Sequence, residues 1–218
     1  MVGLMLVVFI AQVALTWVDP AMAEAWLTRL ALVPKRWIQE WQRWIGWGPV
    51  FSAAFLHGGP MHLAGNAWFL WVFGRSLEEE MGGWRFLLVY AVGTVGAALA
   101  QIAAAPGSEI PMVGASGAIS AVMGAYLLRL PTRWIVSLVP WVVPILPVPA
   151  VVFLVVWFVL QLSQGMDTLG AQPAGGVAWW AHAGGFVTGA LVAWALPSAS
   201  GRKKKTPRGK RKASRAKG

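Results

Sequence analysis

Six apolar runs dominate this chain, at about 2–18, 61–77, 84–104, 115–130, 149–164 and 179–197. A helix of roughly 20 apolar residues crosses the ~30 Å hydrocarbon core of a bilayer. It satisfies every backbone polar group internally, which lipid requires. The runs therefore predict an all-α, polytopic membrane protein with six transmembrane helices over 1–198. Composition agrees: 57% of the 218 residues are hydrophobic and 12% charged, leaving little for a separate soluble core. The fifteen tryptophans cluster near the ends of the runs, where indole rings sit at headgroup depth.

The net charge of +10 belongs to one segment: Arg202 to Lys217 holds ten Lys/Arg and no acid. The rest balances, with eight basic and eight acidic residues. Residues 199–218 read as a disordered basic tail whose role is to hold the C-terminus in the cytoplasm. Contact with anionic lipid follows from the charge. The tail has no aromatic residue to stack on bases, so no nucleic-acid partner is expected. Six spans then place the N-terminus in the cytoplasm too. The 75–85 and 129–148 connections fall on that side, and 105–114 and 165–178 are external, with no Lys or Arg. There is no cysteine, which removes thiol catalysis and thiolate metal sites.

Three stretches qualify the picture. The first run lacks a basic n-region, so it reads as a retained helix despite the signal-peptidase-like Ala21-Met22-Ala23. The 19–60 loop is external yet carries Arg29, Lys35, Arg36 and Arg43. Within it Trp37, Trp41 and Trp44, with Ile38 and Ile45, form one helical face. This predicts an amphipathic helix lying in the outer interface or packed on the protein. Pro140, Pro144, Pro147 and Pro149 break any long helix over 134–164. A broken interfacial stretch is expected at 133–148.

The chemistry concentrates in few residues. Gly114-Ala115-Ser116-Gly117 presents a hydroxyl between glycines at the start of an apolar helix, where backbone amides are free. His182 lies just inside the last run. Ser116, Ser120 and Gly124 share one helical face, and His182, Gly185 and Gly189 another. Small residues let membrane helices approach closely, so the two stripes can bring Ser116 opposite His182, the arrangement of nucleophilic catalysis. His62 and Asn66 sit one turn apart on one face. No Asp or Glu lies near Ser116 or His182 in a span, so a serine enzyme here is a dyad. His57 and His62 are five apart without a third ligand, a poor metal pattern. No metal and no cofactor is expected.

Phe55-Leu56-His57-Gly58-Gly59-Pro60-Met61-His62-Leu63-Ala64-Gly65-Asn66, Gly114-Ala115-Ser116-Gly117 and Ala181-His182-Ala183-Gly184-Gly185, with Gly189, occur in this order. Together they resemble the rhomboid family of intramembrane serine proteases over most of the chain. The resemblance implies a six-helix core, Ser116 as nucleophile and His182 as general base. It implies an oxyanion hole from His62, Asn66 and the Ser116 amide, with Gly114 letting its loop approach substrate. The implied substrates are transmembrane helices of membrane proteins, cut near their external end. The fifth span and the 165–178 loop would be lateral gate and cap. An integral protein of a bacterial inner membrane is expected. Two positions depart from the pattern. Trp47-Gly48 stands where many relatives have Trp-Arg, and Ser120 stands where some members have an aromatic under the histidine ring.

Two other classes compete. A rhomboid-like pseudoprotease would bind membrane clients without cleavage, but is expected to lack Ser116 or His182. A small transporter is expected to show paired repeats and midplane charges, and neither is evident.

Overall fold

A computed structural model describes residues 1–139, 143–168 and 177–197. The basic tail at 199–218, Pro140 and most of the 165–178 connection lie outside the described residues. Helices fill all six predicted ranges: α1 (Val2–Val18), α5 and α6 (Pro60–Phe69, Arg75–Met81), α7 (Gly83–Ala104), α8 (Ser116–Arg129), α9 (Ala150–Asp167) and α10 (Trp179–Ala195). A five-residue π-turn at Leu70–Gly74 joins α5 to α6, so the second run extends past its predicted end. By length and composition only α7 and α9, among the described residues, suffice to cross a bilayer. Helices α1 and α10 have 17 residues each and α8 has 14, short of the ~20 of a full crossing. Mostly helical architecture is thus observed, and helix length among the described residues does not by itself establish six crossings.

The all-α expectation needs one correction. Strands β1 (Trp134–Val139) and β2 (Val143–Pro149) form an antiparallel hairpin between α8 and α9. The prolines exclude helix, as expected, but a two-stranded ribbon leaves one edge of each strand unpaired, where proline is tolerated. Pro147 and Pro149 pair with Val136 and Trp134 in this way.

The 19–60 segment is ordered. Asp19 ends α1 in an extended conformation, and its Oδ1 accepts from Met22 N at 2.9 Å, capping α2 (Pro20–Leu30). Ala21-Met22-Ala23 therefore lies in the first turn of a helix. The predicted tryptophan helix is corrected too: α3 spans only Pro34–Glu40, and the chain resumes in a 3₁₀ turn at Trp44–Trp47 and in α4 (Gly48–Ser52). Gly46 permits the fold-back, because a Cβ there would lie 2.5 Å from the carbonyl oxygen of Glu40. The fold-back gathers rings differently from one helical face. Trp41 stacks on Trp37 and Trp47 meets it edge-on, with centroids at 6.3 and 5.4 Å. Arg36 ties the loop to the end of α2 by donating to the carbonyls of Thr28 and Ala31, at 2.5 and 2.6 Å. Trp47 Nε1 donates to Trp41 O at 3.1 Å. These bonds anchor a loop that lacks the Trp-Arg pair.

Helix α8 is the centre. Every residue from Ala118 to Tyr126 is buried, the pattern of a helix surrounded by others. It packs most extensively on α10 and then on α7. At its far end Arg129 donates to the carbonyls of Ala193 and Leu196, fastening the ends of α8 and α10 together. The outer surface is apolar: Leu4, Leu6, Val7 and Ile10 of α1 and Val152, Val155, Val156 and Val159 of α9 are exposed, a surface suited to lipid.

Candidate active site

The close packing predicted from the small-residue stripes is present. A Cβ on Gly189 would collide with the carbonyl of Ala121, one on Gly185 with that of Gly117, and one on Gly124 with that of Phe186. Backbone thus rests on backbone along the α8–α10 seam. Ser116, the first residue of α8, and His182, in the first turn of α10, are brought together at its upper end. Ser116 Oγ lies 2.9 Å from His182 Nε2. The hydroxyl of Ser120, one turn on, donates to Ser116 O at 2.6 Å. It takes no part in holding the imidazole.

Three further side chains surround that imidazole. Gln161 Oε1 on α9 lies 2.7 Å from His182 Nδ1. The rings of Trp157 and Trp179 pack beside it, each with its centroid 6.1 Å away, the second edge-on. Gln101 on α7 fixes the start of α10, its Oε1 accepting from Ala181 N at 3.2 Å. On the other side, Gln12 of α1 exchanges two hydrogen bonds with the backbone of His57, at 3.1 and 3.4 Å. Sequence reasoning overlooked these glutamines. The signal was available, since an amide inside an apolar run needs a partner.

The remaining predicted residues converge on the same space. His62, Asn66, Gly114, Ser116 and His182 line one cavity of about 480 Å³. Asn66 is 6% exposed, and its Nδ2 has no partner among the described residues. A buried amide donor without an acceptor is costly unless something is meant to meet it. Gly114 takes φ +114°, a conformation that favours glycine. Its amide donates to Ala53 O at 2.9 Å. No side chain caps the α8 N-terminus, which leaves its first amides as donors, and Ser116, Gly117 and Ala118 line the cavity. His57 stands apart. It is 3% exposed, its Nδ1 lies 3.2 Å from Phe55 O, and its ring meets that of His62 edge-on at 5.3 Å.

The floor of the site is pinned from outside. Leu32 and Met112 exchange backbone hydrogen bonds at 3.2 and 2.8 Å, tying the first loop to the segment entering Gly114. Lys35 and Glu109 form an ion pair at 2.5 Å beside them. The hydrogen bond from Lys35 holds the Glu109 carboxyl below its ordinary range.

Comparison with known proteins gives one consistent answer. The family model described as the rhomboid domain matches residues 40–199. RHOMBOID-like protein 5 of Arabidopsis thaliana is 31% identical over 170 residues, 78% of this chain and 49% of the relative. Rhomboid protease GluP of Bacillus subtilis is 37% identical over 81 residues, 37% of this chain and 15% of the relative. Rhomboid-type serine protease 2 of Emericella nidulans is 31% identical over 144 residues, 66% of this chain and 25% of the relative. The chain spans about half of these relatives' length or less.

Proposed function

The chain belongs to the rhomboid family of integral membrane proteins, and from that premise we propose that it is an intramembrane serine endopeptidase. Its substrates are transmembrane helices of other membrane proteins, and its reacting groups are a Ser116–His182 dyad. The observation that carries this reading is the 2.9 Å Ser116–His182 contact in a cavity that also holds the unpartnered amide of Asn66. In the acylation step His182 Nε2 takes the proton from Ser116 Oγ as the oxygen attacks the scissile carbonyl. Negative charge develops on that carbonyl oxygen. Asn66 Nδ2, His62 and the Ser116 amide are the donors for it. The imidazolium then protonates the leaving amine, and water reverses the sequence to release the acyl group.

Depth supports the substrate class. At ~1.5 Å per residue, α8 is about 21 Å long, so its 14 residues fall short of a ~30 Å core. With Arg129 at one interface, Ser116 lies several ångströms inside the other. The basic tail favours a cytoplasmic C-terminus, and α10 runs from His182 toward it. The site then faces the external side, as in a bacterial inner-membrane orientation with both termini inside. Helix α9 is the element a substrate would displace to enter laterally, with the following loop as cap. The charge of the tail suits it to anionic lipid.

The test is cleavage of a panel of single-span substrates by the purified chain in detergent, beside Ser116→Ala. Cleavage by wild type alone supports the protease. Binding of substrates with no cleavage by either would make the chain a client-binding pseudoprotease.

A further inference from the structure

Gln161 is buried, 7% exposed, on a helix whose neighbouring surface is exposed valine and leucine. Its two amide atoms are both used. Nε2 donates to Trp157 O at 3.4 Å, which turns Oε1 toward His182 Nδ1 at 2.7 Å. A carboxamide oxygen only accepts, so Nδ1 carries the hydrogen in the neutral ring and Nε2 presents its lone pair to Ser116. That is the tautomer a general base needs.

We infer that Gln161 is the positioning residue for His182, standing on α9 where a triad would place an acid. The inference rests on the protease reading above. When Nε2 gains the Ser116 proton, the Nδ1–H bond to Gln161 becomes charge-assisted and shortens. The amide takes no proton itself, so the proton shuttles only between Ser116 and His182. Trp157, one turn earlier, holds its ring beside the same imidazole, tilted by 37° with centroids 6.1 Å apart. Helix α9 therefore carries part of the reacting geometry. A shift of α9 by about 1 Å would carry a 2.7 Å contact beyond hydrogen-bond range and leave the base unoriented.

The test uses the full chain in detergent and reads two signals: the rate of fluorophosphonate labelling at Ser116, and the ring-nitrogen NMR shifts of His182. Gln161→Leu removes the acceptor at similar volume, and Gln161→Glu restores one. Wild type should show His182 protonated at Nδ1. Gln161→Leu should label about 10- to 100-fold more slowly, less than the ~10⁴-fold loss that follows wrong-tautomer substitution of a triad acid. Gln161→Glu should recover labelling to within a few fold of wild type. A resting wild-type ring protonated at Nε2 overturns the inference, and that readout needs no variant to fold. Labelling of Gln161→Leu at the wild-type rate also overturns it, while labelled wild type leaves the protease reading standing. Wild type that is unlabelled at Ser116 removes the protease reading and the inference with it.

Discussion

A Cβ at Gly114 would lie 2.6 Å from both Cε1 and Nε2 of His62. The loop entering α8 and the face of α5 that carries His62 and Asn66 are thus in contact through a missing side chain. Gly114→Ala adds that atom at φ +114°, where an alanine is strained even in open space. It should displace His62 and cut turnover by at least about 10-fold. Comparing kcat for Gly114→Ala and wild type on one substrate checks this, and equal values would contradict it.

The seam that holds the reacting pair together can be tested separately. Gly189→Ala drives a methyl into the Ala121 carbonyl, and Gly124→Ala drives one into that of Phe186. Neither backbone can yield without parting α8 from α10. Overpacking of this kind costs about 1–3 kcal/mol, or roughly 2–4 °C in Tm per kcal/mol for a chain of this size. Thermal unfolding in detergent should show the loss in both variants, with slower Ser116 labelling below the transition.

Much of this was legible in the sequence, for identifiable reasons. Ser116, His182, His62 and Asn66 stand out because polar groups are scarce in apolar runs, and Gly114 because it flanks the serine; the structure brings all five to one cavity. The α8–α10 seam was found because small residues recur at intervals of three and four. The pairing of β1 with β2 was not, since prolines announce a broken helix without saying what replaces it. The fold-back after α3 was hidden because the Trp37 and Trp41 spacing satisfies a helical pattern that the contact of Gly46 with Glu40 interrupts. The place of Gln161 in an apolar run marks an amide that needs a partner, but not that the partner is His182, 21 positions away. Only the packing of α9 on α10 joins them.

The donor side of the site makes its own prediction. Asn66 Nδ2 has no partner among the described residues, so its truncation should cost little until charge develops on a substrate. Asn66→Ala should lower kcat far more than it changes KM. In soluble enzymes one such donor is worth about 10²–10³ in kcat, and a site open to water should lose less. Steady-state kinetics decide it. An unchanged kcat in both Asn66→Ala and His62→Ala would contradict the assignment.

Stability should fall in mild acid through His57, which lies in the link before α5. Burial, with His62 adding to it, holds the His57 imidazole below its ordinary value of 6.5. The unfolded chain takes up the proton near pH 6.5, and the folded chain only at lower pH. The stability His57 contributes is therefore complete above about 6.5 and is lost as pH falls from there toward the folded value. Between pH 7 and 5 the Tm of His57→Gln should drop less than that of wild type. Parallel curves would show that His57 does not carry this dependence.

The central claim is that Ser116, activated by His182, is the nucleophile. An alcohol is a weak nucleophile until a base removes its proton. The most direct measurement is covalent labelling of the purified chain by a fluorophosphonate, mapped by peptide mass spectrometry, for wild type, Ser116→Ala and His182→Gln. The account predicts one adduct, on Ser116, in wild type, none in Ser116→Ala, and labelling at least about 10²-fold slower in His182→Gln. Labelling that persists in Ser116→Ala, or that proceeds at the wild-type rate in His182→Gln, would contradict it.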